Sequence, residues 1–572
     1  MCGICGIFGE ENREKTKRML KSIAHRGPDD EGMLCDDGVS IGNRRLSIID
    51  VEGGHQPVHD GKENTWVVYN GETYNYMELR EELGEKRFHT NSDTEVFVHA
   101  YNEWGDLFAN RLNGMFAFAL WDSKKKRGVL GRDRLGIKPL YYAFVDGSLV
   151  FGSEIKCLLE YGIPKSLDME GVACYLRFGS VFGERTFFEN VKKLLPGEIL
   201  VFENGKIEKK RYWNARDSMK PTISNEREAV AKVRSLLEDS VEKRLMSEVP
   251  LGAFLSGGID SSATVGIMSR KAVKPVETFS VGFGEEDDEL SYARIASDEF
   301  GTNHHELMVE DGQIPGVMEK LVWHFDDLDG DAAAIPTYFV SKLARKYVTV
   351  VLTGEGADEV FAGYNRYKPF SPSFFFVPKW ISVPAFERIV RVFGESEVDS
   401  LLGKPAGNQS KHLLKYFRIK GNSLNQALLW GMEEVLPNQL LMKVDKTSMA
   451  NSLEARVPFL DYRMVEYGNS LVPPLKMHHL TGKYILRKAV EEIVPKTIVK
   501  RKKHGFSVPM ARWMRGELGE FADGVFERFD SPSFNRNTFR EFAQKREKYK
   551  DAQKTWHLLL LALWIERFAP ES

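Results

Sequence analysis

The stretch Val249-Pro250-Leu251-Gly252-Ala253-Phe254-Leu255-Ser256-Gly257-Gly258-Ile259-Asp260-Ser261-Ser262 places a Gly-containing turn between a short apolar run and a run compatible with a helix. Residues 249–255 predict a buried strand, and residues 259–269 the start of a helix. Ser256-Gly257-Gly258 forms the turn, where two missing Cβ atoms let backbone N–H groups approach an anion at the positive end of the helix. Such a turn also serves simply to join a strand to a helix, and these three residues alone leave both readings open. On the carboxyl side apolar runs alternate with helical patterns. Residues 276–283 predict a second strand, 291–300 a helix and 347–352 a further buried strand. That alternation predicts a parallel sheet with crossover helices, whose ligands sit at the carboxyl ends of the strands.

Leu255-Ser256-Gly257-Gly258-Ile259-Asp260-Ser261 resembles the S-G-G-[LIV]-D-S pyrophosphate loop of the ATP pyrophosphatases and lacks the Lys-Ser/Thr ending of a Walker A loop. The resemblance implies cleavage of ATP to AMP and pyrophosphate, with Leu255, Ser256, Gly257, Gly258 and Ser261 at the nucleotide and Asp260 available to Mg2+. Thr353-Gly354-Glu355-Gly356-Ala357-Asp358-Glu359 is similar to the [ST]-G-E-G-[SA]-D-E word of the asparagine synthetases. It implies that Thr353 and Gly354 border the nucleotide, that Asp358 pairs with Asp260 on the metal, and that Glu355 acts in forming and consuming an acyl-adenylate. Mg2+ among phosphates takes one or two carboxylates rather than a full protein cage, the number this pair supplies. Acidic residues after a strand also read as helix N-terminal charges. Val281 lies where the family's second strand meets adenine, and a plain core valine is the competing reading.

Later words of the same family are Lys443-Val444-Asp445-Lys446-Thr447-Ser448-Met449 and Glu454-Ala455-Arg456-Val457-Pro458-Phe459-Leu460-Asp461. Lys446 is the candidate to neutralise the departing pyrophosphate; Arg456 and Asp461 read as scaffold. The basic run at 500–505, followed by Phe506-Ser507-Val508-Pro509, has the composition of a loop that closes over phosphates or of a solvated surface. Residues 364–443 carry no assignable word.

At the other end, Cys2 follows the initiator Met, so removal of Met1 places a thiol beside the chain's own amino group. An α-amino group titrates near about 7.7–8.0, against about 10.4 for Lys, and is available as a base at neutral pH. Cys2 and Cys5 also read as half of a zinc or redox site, though no second closely spaced pair follows. A third reading is a small buried hydrophobe. Met1-Cys2-Gly3-Ile4-Cys5-Gly6-Ile7-Phe8, His25-Arg26-Gly27-Pro28-Asp29, Arg45-Leu46-Ser47-Ile48-Ile49-Asp50, Asn70-Gly71-Glu72-Thr73-Tyr74-Asn75 and Ser92-Asp93-Thr94-Glu95 occur in one order. Together they resemble the class II glutamine amidotransferase domain, an N-terminal-nucleophile hydrolase fold with two antiparallel sheets layered between helices. The β-rich pattern of residues 39–151 is compatible with it.

That resemblance implies that Cys2 attacks the side-chain amide of glutamine to form a γ-glutamyl thioester and release ammonia. The Asn70 side chain and the Gly71 N–H would hold the oxyanion. Arg45 would bind the α-carboxylate bidentately and lead a substrate-lining segment through Leu46, Ser47, Ile48 and Ile49; Glu72 and Asp93 would take polar and ammonium groups. Singly, Arg45 is a surface cation, Asn70-Gly71 a hairpin turn and Asp93 a helix N-cap; their joint order carries the assignment. Residues 131–142 and 151–156 also match the family and read as structure.

The two motif sets predict an α+β N-terminal-nucleophile hydrolase sandwich (αββα) over residues 2–213, a linker over 214–226, and an α/β parallel-sheet ATP-pyrophosphatase domain with additional helices over 227–572. A chain of 572 residues with a net charge of −3 has room for these domains and no bulk charge to suggest nucleic acid or an anionic membrane. Five cysteines, all in the first third, form no disulfide framework and fit a reducing cytoplasm. No secretory signal or span-length apolar run is present. The family resemblance implies glutamine, aspartate and ATP as substrates, an aspartyl-AMP intermediate, ammonia passed internally away from water, and a homodimer. Asp326-Asp327-Leu328-Asp329-Gly330-Asp331-Ala332-Ala333-Ala334-Ile335-Pro336-Thr337-Tyr338 stands where many members read D-E-P-x-x-D-x-S-x-x-P-T-Y. The departures at Asp327, Leu328 and Ala333 leave a different acceptor carboxylate as the alternative enzyme, and a non-catalytic sensor as the alternative class.

Overall fold

The structure is a computed structural model that describes residues 2–285, 289–374, 376–501, 508–545 and 548–568; Met1 and residues 502–505 of the basic run at 500–505 lie outside these. In the amino-terminal half, Met115-Phe116-Ala117-Phe118-Ala119-Leu120 lacks the alternation of a sheet with one wet face, and all six residues are buried. Both faces of their strand, Gly114–Asp122, are covered. Two six-stranded antiparallel sheets are stacked, with Cys2–Phe8 inside one and Thr65–Thr73 beside Gly114–Asp122 in the other. Ile4, Phe8, Ile41, Val68, Ala117 and Phe151 fill the space between them. Helices Arg13–Ser22 and Ile155–Tyr161 cover the outer face of the first sheet, and Tyr76–Leu83 and Val96–Trp104 that of the second. This is the αββα sandwich expected from the sequence.

The carboxyl-terminal half holds a five-stranded parallel sheet in the order Asn303–Met308, Glu277–Gly282, Leu251–Phe254, Val350–Leu352, Glu454–Arg456. Its strands are shorter than the apolar runs that predicted them. The first begins at Leu251 because Pro250 has no N–H to give a ladder; its carbonyl accepts from Thr349 N at 3.0 Å. From Leu251–Phe254 the chain builds outward on one side, then returns with Val350–Leu352 on the other. The order therefore reverses between these two neighbours, and the loops after them part to open a crevice.

The two halves meet across buried ion pairs. Arg26 Nη1 lies 2.9 Å from Glu154 Oε1 and 2.8 Å from Asp445 Oδ2. Lys156 and Lys446 both reach Asp326, each at 2.9 Å. Arg456 Nη2 meets Glu72 Oε2 at 2.9 Å, its Nε meets Glu454 at 2.6 Å, and its Nη1 donates to the carbonyls of Arg244 and Met246. Removing one member strands the others in a low-dielectric interior. Arg456→Met is expected to cost about 3–5 kcal/mol of stability, seen as a lower urea midpoint; an unchanged midpoint would show the cluster to be energetically idle.

Residues 214–226, read as a linker, are held against the carboxyl-terminal half. Ala215–Ser218 is a short helix whose Ala215 carbonyl accepts from Asn469, and Ile223 bridges to Leu471. Residues 364–443 are mostly helical and include a π-helical stretch, Gly431–Leu440. A closing helix runs Tyr549–Phe568. No helix among the described residues is long and apolar enough to cross a membrane.

Candidate active sites

Cys2 opens the first strand of the sandwich, in register with Arg45, and is 6% exposed. Its backbone N–H donates to Asn70 Oδ1 at 3.0 Å, and its carbonyl accepts from Arg26 Nε at 3.2 Å. Asn70 is thereby oriented: the amide oxygen is committed to Cys2, while the buried Nδ2 has no hydrogen-bond partner. A buried amide donor without a partner is costly unless a ligand atom completes it. Gly71 follows on the same strand, where a Cβ would stand 2.2 Å from the Met115 carbonyl oxygen. Gln56 was not singled out in the sequence; its Nε2 lies 4.0 Å from the Cys2 Sγ, and its Oε1 accepts from Tyr69 N at 2.7 Å.

The glutamine-binding expectations are met unevenly. Arg45 Nη2 donates to the carbonyls of Ile49 and Asp50, at 3.0 and 2.7 Å, and Nη1 to that of Val51 at 3.1 Å. Both Nη2 protons are spent, so an end-on two-point grip on a carboxylate is not available in this arrangement. Leu46, Ile48 and Ile49 are buried in the core beneath the second sheet, and the Ser47 N–H donates to Asp29 Oδ2 at 2.9 Å. Glu248, from the other half of the chain, accepts from Asp50 N and Val51 N and fixes the loop that Arg45 straps. Glu72 turns one oxygen to Arg456 and leaves Oε1 buried without a hydrogen-bond partner; burial drives its pKa well above the usual carboxylate range, against the pull of Arg456. Asp93 accepts from Thr73 N at 2.9 Å, and burial raises it to about 6.

The second site is the crevice at the carboxyl ends of the parallel strands, a cavity of ≈ 930 Å³. Leu255, Ser256, Gly258, Asp260, Ser261, Val281, Thr353, Gly354, Glu355 and Asp358 all border it, brought together from three strand ends. Ser256 N donates to Ser261 Oγ at 3.2 Å, and Gly258 N to Ser256 Oγ at 3.3 Å, which closes the turn on itself. Helix Ile259–Lys271 starts with no side chain capping it, so its first N–H groups are left to a ligand. Gly257 differs from expectation: it does not border the cavity. Its φ is +65°, and a Cβ would stand 2.5 Å from Ala293 N, so it allows the turn to pack against helix Leu290–Phe300. At Gly354 a Cβ would come within 2.9 Å of the Asp260 Cβ, so this glycine sets the close approach of the two loops.

Asp260 and Asp358 converge on Lys483 Nζ, at 2.5 and 2.8 Å. Burial acts to lower the Lys483 pKa, but the two carboxylates raise it above the ordinary lysine value, so the ammonium is charged. No motif marks Lys483, which follows a two-residue strand, Thr481–Gly482, more than 120 residues after Asp358. Lys446 does not reach the crevice. It is fully buried against Asp326, one turn along helix Leu441–Met449 from Lys443, which does border the cavity and pairs with Asp331 at 3.2 Å and Glu355 at 3.7 Å. Two lysines three residues apart share a helix face, and the sequence alone does not say which of them is at the mouth. The departures in the 326–338 segment also divide. Asp327 accepts from Phe187 N and pairs with Lys193, and Leu328 is buried, whereas Asp331, Ala332 and Ala333 line the cavity.

Comparison with known proteins agrees over the full length. Residues 1–213 match the glutamine amidotransferase domain, and residues 232–566 the asparagine synthase family. Asparagine synthetase [glutamine-hydrolyzing] 1 of Bacillus subtilis is 36% identical, covering 100% of this chain and 98% of that protein. A putative asparagine synthetase [glutamine-hydrolyzing] of Mycobacterium tuberculosis is 32% identical with the same coverage. Amidase chyE of Penicillium rubens is 31% identical over 88% of this chain and 86% of its own length. With two family matches in this order and full-length relatives, the chain belongs to the asparagine synthase family, in the form that carries an amino-terminal glutamine amidotransferase domain.

Proposed function

We propose that the protein is a glutamine-dependent asparagine synthetase, converting ATP, aspartate, glutamine and water to AMP, pyrophosphate, asparagine and glutamate. The observation that carries this reading is the pairing in one chain of a buried cysteine beside an unsatisfied amide donor with a crevice where two aspartates and a lysine meet below an uncapped helix start. In the first site the Cys2 thiolate adds to the glutamine side-chain amide, and the Asn70 Nδ2 and Gly71 N–H receive the developing oxyanion. Collapse expels ammonia and leaves a thioester, which water cleaves to glutamate. Removal of Met1 frees the Cys2 amine to act as the base.

In the second site the ATP phosphates lie on the turn at 255–258 and the start of helix Ile259–Lys271. The aspartate β-carboxylate attacks the α-phosphorus, and Lys483 stabilises the pyrophosphate that leaves. Ammonia then adds to the aspartyl-AMP carbonyl, and Glu355, steadied by Lys443, accepts the proton as AMP departs. Asp260 and Asp358 would hold Mg2+: their carboxylates already converge on one positive charge, which supports a cation between them. The ion would neutralise phosphate charge. A homodimer and a cytoplasmic location belong to the same proposal, as do the boundaries 2–213 and 227–572.

Supplying the purified protein, freed of Met1, with ATP, Mg2+, glutamine and aspartate is expected to yield asparagine and pyrophosphate in step. Glutamine hydrolysis without either product would move the acceptor to another carboxylic acid. The titration of Asp93 gives a separate test. Its proposed partner is an ammonium, which binds the ionised carboxylate, so the glutamine KM should rise roughly tenfold per pH unit as pH falls below about 6. A KM that stays flat through that range would take Asp93 out of the glutamine site.

A further inference from the structure

Arg366 lies in the part of the chain that carries no recognisable motif, on the 3-10 turn Asn365–Phe370 that follows the Asp358 helix Ala357–Phe361. It borders the same crevice as Glu355 and Asp331. Its Nε and Nη2 are buried and have no hydrogen-bond partner. The guanidinium carbon lies 4.1 Å from the centre of the Tyr364 ring and 5.6 Å from that of Tyr367. A half-buried arginine beside the Tyr364 ring and near the buried Glu359 carboxylate, with Nε and Nη2 making no hydrogen bond, offers two donors that match a planar two-oxygen anion. The rest of this end of the cavity fits the head group of an amino acid. Asp331, held by the Ala333 N–H at 3.0 Å and shared with Lys443 at 3.2 Å, places a carboxylate where an ammonium would bind, and Ala332 and Ala333 are small residues beside it.

We propose that Arg366 holds the α-carboxylate of the acceptor and so selects a 2-amino dicarboxylic acid, whose far carboxylate is then presented to Glu355 and the nucleotide. This rests on the reading of the crevice as an acyl-adenylate site. Lys483 is engaged by Asp260 and Asp358, and Lys443 by Asp331 and Glu355, whereas the Arg366 Nε and Nη2 make no hydrogen bond, which favours Arg366 for the acceptor.

β-Alanine is the discriminating probe, because it carries the reacting carboxylate and the amine of aspartate but no α-carboxylate. Pyrophosphate release would be measured with ammonium as nitrogen source for wild type, Arg366→Lys and Arg366→Met. In Arg366→Met the ratio of kcat/KM for aspartate to that for β-alanine is expected to fall on the order of 100-fold, through the aspartate KM, with the ATP KM little changed; Arg366→Lys should fall between. Each ratio is taken within one preparation, so an inactive fraction cancels, and Arg366→Lys carries the test if the methionine variant does not fold. An unchanged ratio with a raised ATP KM would assign Arg366 to phosphate, and an equal loss for both acids would assign it to structure; either result overturns the proposal. If wild type releases no pyrophosphate with aspartate, the synthetase reading itself fails and the assignment falls with it.

Discussion

Cys2→Ala should lower asparagine formation from glutamine by on the order of 10⁴-fold or more while synthesis from added ammonium continues. In the proposed reaction Cys2 supplies the sulfur that forms the thioester, and its neighbour Gln56, whose amide lies 4.0 Å away, is not nucleophilic. Asn70 would still bind the amide oxygen, yet stabilising an oxyanion is of no use when no nucleophile creates one. Ammonia from solution enters the second reaction after the step that Cys2 performs, so the crevice of Asp260, Asp358 and Lys483 retains its chemistry. Measuring asparagine with glutamine and then with ammonium separates the two. Loss of both activities would show that the cysteine end supports the structure of the crevice, a route that exists through Arg26, which binds the Cys2 carbonyl and pairs with Asp445.

Lys483→Met should reduce pyrophosphate release by roughly 10³-fold and leave glutamine hydrolysis at Cys2 in place. In the folded protein this ammonium is the cation that two carboxylates share. Its loss removes a fixed positive charge beside Asp260 and Asp358, where the proposed reaction has pyrophosphate gather negative charge in the transition state. Methionine keeps most of the volume, so packing changes are small compared with the charge. Pyrophosphate release within tenfold of wild type would make Lys483 a scaffold lysine and move the phosphate role to another cation, such as one from the basic run at 500–505.

The chemistry-bearing words were legible because each concentrates its residues within a few positions. Leu255 to Ser261 forms its own turn, and Thr353 to Asp358 its own strand end, so local sequence fixes local geometry. Residues acting from a distance were not legible. Lys483 follows the short strand Thr481–Gly482 and Arg366 lies on a short 3-10 turn, and neither has a spacing to anything it meets. Lys446 and Lys443 show the limit of helical periodicity: three residues apart, one is buried against Asp326 and the other opens to the crevice, a choice made by the Asp326 carboxylate from another segment. Glu72 and Arg45 show the same limit in the sandwich, where Arg456 and a row of carbonyls claim groups expected to be free for substrate.

The sequence by itself determined the two fold types and their order along the chain, because apolar periodicity, glycine positions and contiguous motifs are properties of neighbouring residues. The tertiary structure alone decided which charges are spent on one another and which are left for ligands. Ion pairs such as Glu72 with Arg456, or Lys483 with Asp260, join residues more than 200 positions apart. Their partners are set by which surfaces the packed core brings face to face, and in a low-dielectric interior each charge must take what partner it finds there.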